Sequence, residues 1–165
     1  MLSLALVCPA AAGASMQPID LQVDGGEDNW HPDRMFALSW SNPPGVAAVH
    51  YRLLAPGGEV LIDDTTLPWA ANAIEHLSVP AAPGAYTAEV RLEDAGGALG
   101  PAVSARLRFD DARPGVVEPL ASSGWIGRSA FPYTVHLTHP SGALPISGIR
   151  GYAVSTDASP RGSPC

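Results

Sequence analysis

Between Ile19 and Phe109 apolar residues recur at every second position, and each run is cut short by glycine, proline or asparagine. Ile19, Leu21 and Val23 alternate with polar residues before Asp24-Gly25-Gly26. Phe36, Leu38 and Trp40 run into Asn42-Pro43-Pro44-Gly45, and Val49, Tyr51 and Leu53 into Pro56-Gly57-Gly58. Val60 and Ile62 form a short strand ending at Asp63-Asp64, and Ile74 to Val79 another. Tyr86, Ala88, Val90 and Leu92 share one face, as do Val103, Ala105, Leu107 and Phe109. A period of two places alternate side chains on opposite faces of an extended chain, so each run reads as a strand with one buried and one wet side. No stretch after Ser15 carries a helical period; Asp64 to His76, interrupted by Pro68, holds one turn of helix at most. Seven short strands without crossover helices predict an all-β chain, folded as an antiparallel β-sandwich. On the strand pair 86–93 and 103–110, Glu89 and Arg91 are expected to face Arg106 and its neighbours.

The turns are written into the composition. Seventeen glycines and 17 prolines occur in 165 residues, yet 46% of the chain is hydrophobic, too much for a disordered polymer. Only 15% is charged, and the formal net charge is −7. All nine cations are arginines, scattered singly, which argues against nucleic acid as a partner.

Leu2 to Ala14 is an apolar run ending in small residues, Ala12-Gly13-Ala14, the pattern a signal peptidase accepts. Thirteen residues are too few to span a bilayer, which takes about 20. Residues 1–14 are therefore expected to be a signal peptide, and the mature chain a secreted or cell-surface protein with no membrane span. Cleavage there removes Cys8 and leaves Cys165 as a lone cysteine, which suggests a disulfide partner lost downstream.

The placement of the large rings carries a resemblance. Trp40 ends the second strand, Tyr51 sits in the third, and Pro83-Gly84-Ala85-Tyr86 opens the sixth. Val90-Arg91-Leu92-Glu93-Asp94 then leads through Gly96-Gly97 to Gly100-Pro101-Ala102-Val103-Ser104. Residues 15–111 resemble a fibronectin type III domain, an immunoglobulin-like sandwich. There a tryptophan and a tyrosine pack between the sheets, and a second tyrosine bonds to the loop before it. The resemblance implies structural roles for Trp40, Tyr51 and Tyr86. The segment Gly25 to Asp33 makes the first loop longer than that family's.

Ala112-Arg113-Pro114-Gly115 is a stiff linker of the kind that separates modules. Beyond it, Tyr133, Val135 and Leu137 alternate as Phe36, Leu38 and Trp40 do. Gly148-Ile149-Arg150-Gly151-Tyr152-Ala153-Val154 resembles the third strand of bacterial immunoglobulin-like repeats. Residues 112–165 thus read as a linker and a truncated second copy, lacking its sixth and seventh strands.

Chemistry-bearing patterns are sparse. The chain has no Gly-x-Ser-x-Gly, His-Glu-x-x-His, phosphate-binding glycine loop or Cys-x-x-Cys. His136 and His139 could share a metal, but no carboxylate sits beside them, and His31, His50 and His76 stand alone. Glu27-Asp28, Asp63-Asp64 and Asp110-Asp111 read as solvated turn acids rather than calcium ligands. No catalytic residue, metal site or cofactor is expected. Trp30, Trp69 and Trp125 fall in loops, where each is expected to plug an open end of the sandwich; Trp30 and Trp125 are the candidate ligand contacts, since rings on loops can also stack on sugars or anchor proteins. The expected function is a non-catalytic spacer or protein-interaction module of a larger exported protein, with a protein or cell-surface glycan as partner. The alternative is a carbohydrate-binding accessory domain of a secreted hydrolase.

Overall fold

The computed structural model describes residues 16–67, 69–115, 119–120, 136–137 and 144–152. Strands β1 (Ile19–Val23), β3 (Met35–Ser41) and β6 (Ala73–Ser78) form a three-stranded sheet in the order β1-β3-β6. Strands β2 (Trp30–His31), β4 (Val46–Leu54), β5 (Val60–Leu67), β7 (Gly84–Asp94) and β8 (Val103–Phe109) form a five-stranded sheet, β2-β8-β7-β4-β5. Two two-residue strands, β9 (Pro119–Leu120) and β10 (His136–Leu137), pair with each other. No helix occurs among the described residues. Consequently none there is long and apolar enough to cross a membrane.

The two larger sheets share one core. Phe36, Leu38, Trp40, Ile74 and Leu77 from the smaller sheet meet Val49, Leu53, Tyr86, Ala88, Val90, Leu92, Ala105, Leu107 and Phe109 from the larger. That is a β-sandwich arrangement, and the alternation in β7 draws it plainly: Tyr86, Ala88, Val90 and Leu92 are buried, and Thr87, Glu89 and Arg91 between them are not. Each large side chain so buried contributes roughly 1.5–3 kcal/mol.

Several details depart from the sequence expectation. Val60 and Ile62 belong to an eight-residue edge strand that continues through Asp63-Asp64 to Leu67. Asp64 has φ 28°, a local irregularity that β5 tolerates because its outer edge has no partner strand among the described residues. Ile19 is exposed and Leu21 only half-buried, since Asp20 sits at φ 54° and the β1–β3 register slips between Ile19 and Gln22. The expected facing of Glu89 and Arg91 on Arg106 is corrected by the register. Arg106 lies opposite Thr87 and Glu89 opposite Ser104. Glu89 instead accepts a bond from Arg52 Nε at 2.5 Å across β4, and this contact raises the arginine's already high pKa.

The first loop is also more than a loop. Trp30 and His31 form β2, which runs parallel to β8, Trp30 opposite Arg108 and His31 opposite Phe109. Gly25 makes the approach possible: its φ is 79°, and a Cβ there would sit 2.3 Å from His31 Cε1.

Candidate functional site

β2 and the end of β8 bring together an aromatic ring, a guanidinium and a carboxylate. The Arg108 guanidinium lies 5.8 Å from the centre of the Trp30 ring. It also donates to the Asp28 backbone carbonyl at 3.1 Å and to Asp28 Oδ1 at 3.3 Å. Asn29 spends its amide N–H on Gly25 O, which leaves its side-chain oxygen as an acceptor. Beside them lies the segment 144–152, and between the two runs a cleft of about 670 Å³. Asp28, Asn29, Trp30, Ser147, Gly148, Ile149 and Arg150 line it. His31 turns the other way: its ring meets Phe36 edge-on at 5.2 Å between centroids. Its buried Nε2 has no hydrogen-bond partner among the described residues.

Asp110 ties the two runs together. Read from sequence as a solvated turn acid, it is buried in the structure. Its backbone N–H donates to His31 O at 3.0 Å. One carboxylate oxygen accepts Ala112 N–H at 3.0 Å, and the other accepts Ser147 N–H at 2.8 Å. Burial alone pushes such a carboxyl up, but the hydrogen bonds from Ser147, Ala112 and Ile146 outweigh it and hold Asp110 below its ordinary value. The last strand of the sandwich is thereby tied to residues 37 positions downstream. Residues 147–152 themselves are turn and irregular chain, closed by Gly148 N–H on Pro145 O at 2.9 Å, where the sequence predicted a strand.

The other residues singled out by sequence fall into two groups. Trp40 and Tyr86 are buried, and Tyr51 packs half-buried against the core. The Tyr86 hydroxyl donates to Ala82 O at 2.5 Å, and burial raises its pKa. Trp125 and His139, and the side chain of His136, lie outside the described residues. Trp30, expected in a loop, is instead a half-buried strand residue, as its ladder with β8 requires.

Trp69 is the most exposed large hydrophobic residue among those described, 83% accessible, and it adopts φ 64°, a region bulky L residues avoid. Its loop is pinned from the core. Trp40 Nε1–H donates to Asn42 Oδ1 at 2.8 Å, and Asn42 Nδ2 donates to the carbonyls of Ala70 and Ala71, each at 2.9 Å. Trp69→Gly is expected to raise stability by about 1 kcal/mol, because glycine relieves the left-handed strain. Chemical denaturation of the two proteins checks the sign.

A cluster on the larger sheet has no counterpart in the sequence reading. His50 Nε2 lies 2.6 Å from Glu93 Oε2, its Nδ1 3.5 Å from Asp64 Oδ1, and Thr66 Oγ1 3.3 Å from the same Nδ1. The carboxylates sit at opposite edges of the ring, tying β5, β4 and β7 together without converging on a point. Among the described residues no group of three His, Cys, Asp or Glu could hold a metal ion. Only the pairing Thr66↔His50 across β4 and β5, invisible without the register, would have revealed the cluster.

Comparison with known proteins adds little. No family model matches the chain. No curated protein matches it either. Among solved structures, the crystal structure of CopC from Methylosinus trichosporium OB3b is similar at a TM-score of 0.37 and 12% identity. The match covers 54% of this chain and 90% of that one. A likeness that distant carries no argument about either fold family or function.

Proposed function

We propose that the chain is a non-catalytic module of a larger secreted or surface protein, an immunoglobulin-like, fibronectin type III-like sandwich acting as a spacer or protein-interaction unit. The Asp110 clamp carries the reading. A spacer must transmit orientation from one module to the next, and a buried carboxylate bonded to Ala112 and Ser147 fixes the chain leaving the last strand. The Tyr86–Ala82 bond supports the fibronectin-like assignment, since it ties the ring to the loop before it. Trp69, exposed on a pinned loop, is the natural anchor for a protein partner. The export reading rests on residues 1–14 and the run that precedes Ala14.

A second reading, a carbohydrate-binding accessory domain, is favoured by one observation: Trp30 lines a cleft alongside polar side chains. The non-catalytic proposal is tested by fusing residues 1–20 to a phosphatase that is active only after export, and by screening the purified chain against glycosidase, esterase and peptidase substrates. Export with a silent screen is the expected result. Turnover of any substrate, abolished by no contaminant control, overturns it.

A further inference from the structure

The cleft is composite. Asp28 and Asn29 come from the first loop of the sandwich, Trp30 from β2 beside it and Ser147 to Arg150 from a segment more than a hundred residues later, and the contact described between the two runs through Asp110. Its volume, about 670 Å³, falls within the range of roughly 300–1,000 Å³ that small-ligand sites occupy. We infer that this cleft binds a neutral sugar ring across the junction, with Trp30 as the apolar contact and Asp28, Asn29 and Arg150 as hydrogen-bonding groups.

The ligand class follows from what the walls offer. Asp28 and Asn29 present acceptors, Asp28 through the carboxylate oxygen that Arg108 does not take. Arg150 presents only donors. An anionic ligand would gain from Arg150 but face Asp28, an amine the reverse, and a purely apolar one would strand all three. Hydroxyl groups donate and accept at once, so a sugar satisfies both walls, while its C–H face suits the aromatic ring of Trp30. Arg108, stacked on that ring and bonded to Asp28, holds the two contacts in fixed relation.

The inference rests on the carbohydrate reading and goes further: the site exists only while Asp110 holds Ser147, so sugar binding and a rigid junction are one event. Calorimetric titration of the full chain with neutral trisaccharides (cellotriose, maltotriose, mannotriose, xylotriose) and with a galacturonate trisaccharide tests it. Saturable binding of at least one neutral sugar is expected. Trp30→Ala, Arg150→Ala and Asp110→Ala should each weaken it tenfold or more, and Val60→Ala, exposed on the edge strand opposite β2, should leave it unchanged. No binding of any neutral sugar overturns the carbohydrate reading and this inference together. Binding lost in Trp30→Ala but kept in Arg150→Ala leaves the carbohydrate reading standing and overturns the composite site. Preference for the galacturonate overturns the assignment to a neutral ligand. Arg150 is exposed, so its variant reports on the site even where Asp110→Ala does not fold.

Discussion

Trp40→Ala should destabilise the sandwich by about 3–5 kcal/mol, the cost of a large cavity in a closed core. The ring is 5% exposed and packs within the core that both sheets share. Its loss also orphans Asn42, whose Oδ1 accepts the indole N–H and whose amide holds Ala70 and Ala71. The loop carrying Trp69 should therefore loosen along with the core. Urea denaturation followed by circular dichroism gives the stability change, and amide exchange at Ala71, whose N–H donates to Trp69 O, gives the loop. Trp40→Phe separates the two effects: it keeps most of the apolar contact, loses the Asn42 bond, and should cost distinctly less. A midpoint unmoved by the alanine variant would mean that the ring is not part of the core.

The second large effect is expected at the junction. Asp110→Ala leaves the N–H groups of Ala112 and Ser147 without their acceptor, and hydrogen bonds to a charged group contribute roughly 1.5–3 kcal/mol each. The loss should fall on the attachment of residues 144–152 rather than on the sandwich, because the core cluster does not include them. Proteolysis at Ala112 to Gly115, exposed in the folded chain, should accelerate while the sandwich's denaturation midpoint changes little. The pH dependence has a definite sign. The folded-state value of Asp110 lies below its ordinary 3.8, so the clamp's contribution is fully present above that value. It declines as the pH falls below 3.8 and is gone once the pH has passed through the depressed folded value. The protection of the Ser147 amide, its exchange measured against the intrinsic rate at each pH, should therefore fall in acid in the native protein. In Asp110→Asn that protection should be low already at neutral pH and nearly flat across the same range. Parallel acid profiles for the two proteins would remove the clamp.

Most of the strands were legible because burial on one face writes a period of two into the chain. Tyr86 to Leu92 and Phe36 to Trp40 show it without interruption, and both are buried as the alternation requires. The extension of β5 past Ile62 was hidden, since an edge strand lying over solvent can carry Asp63-Asp64 and Thr65-Thr66 without losing its ladder to β4. β2 was hidden for a different reason. Two residues have no period, and their partners in β8 lie 78 positions away. Asp110 was misread because an Asp-Asp pair after a strand is usually wet, and nothing local reveals that Ser147 will come to it. Trp30 was found as a candidate contact on residue type alone; its neighbours Asn29 and Arg150 were not, since only folding puts them on one cleft.

The parallel pairing of β2 with β8 has a consequence for the order in which the molecule can be made. β1 and β3 lie close together in the chain and can meet as soon as both have emerged. Trp30 and His31 cannot be laid down until Arg108 and Phe109 are present, because those residues are the template on which they align. An early segment of the chain thus waits for a late one, with the entropy of a long loop opposing it in the interval. The same is true of the cleft wall built on Trp30 and, one step later, of the clamp at Asp110. In a chain that emerges from its amino end, the cleft comes after the rest of the sandwich among the described residues. A chain cut before Arg106 forfeits β2 as well as β8, although every residue of β2 is still there.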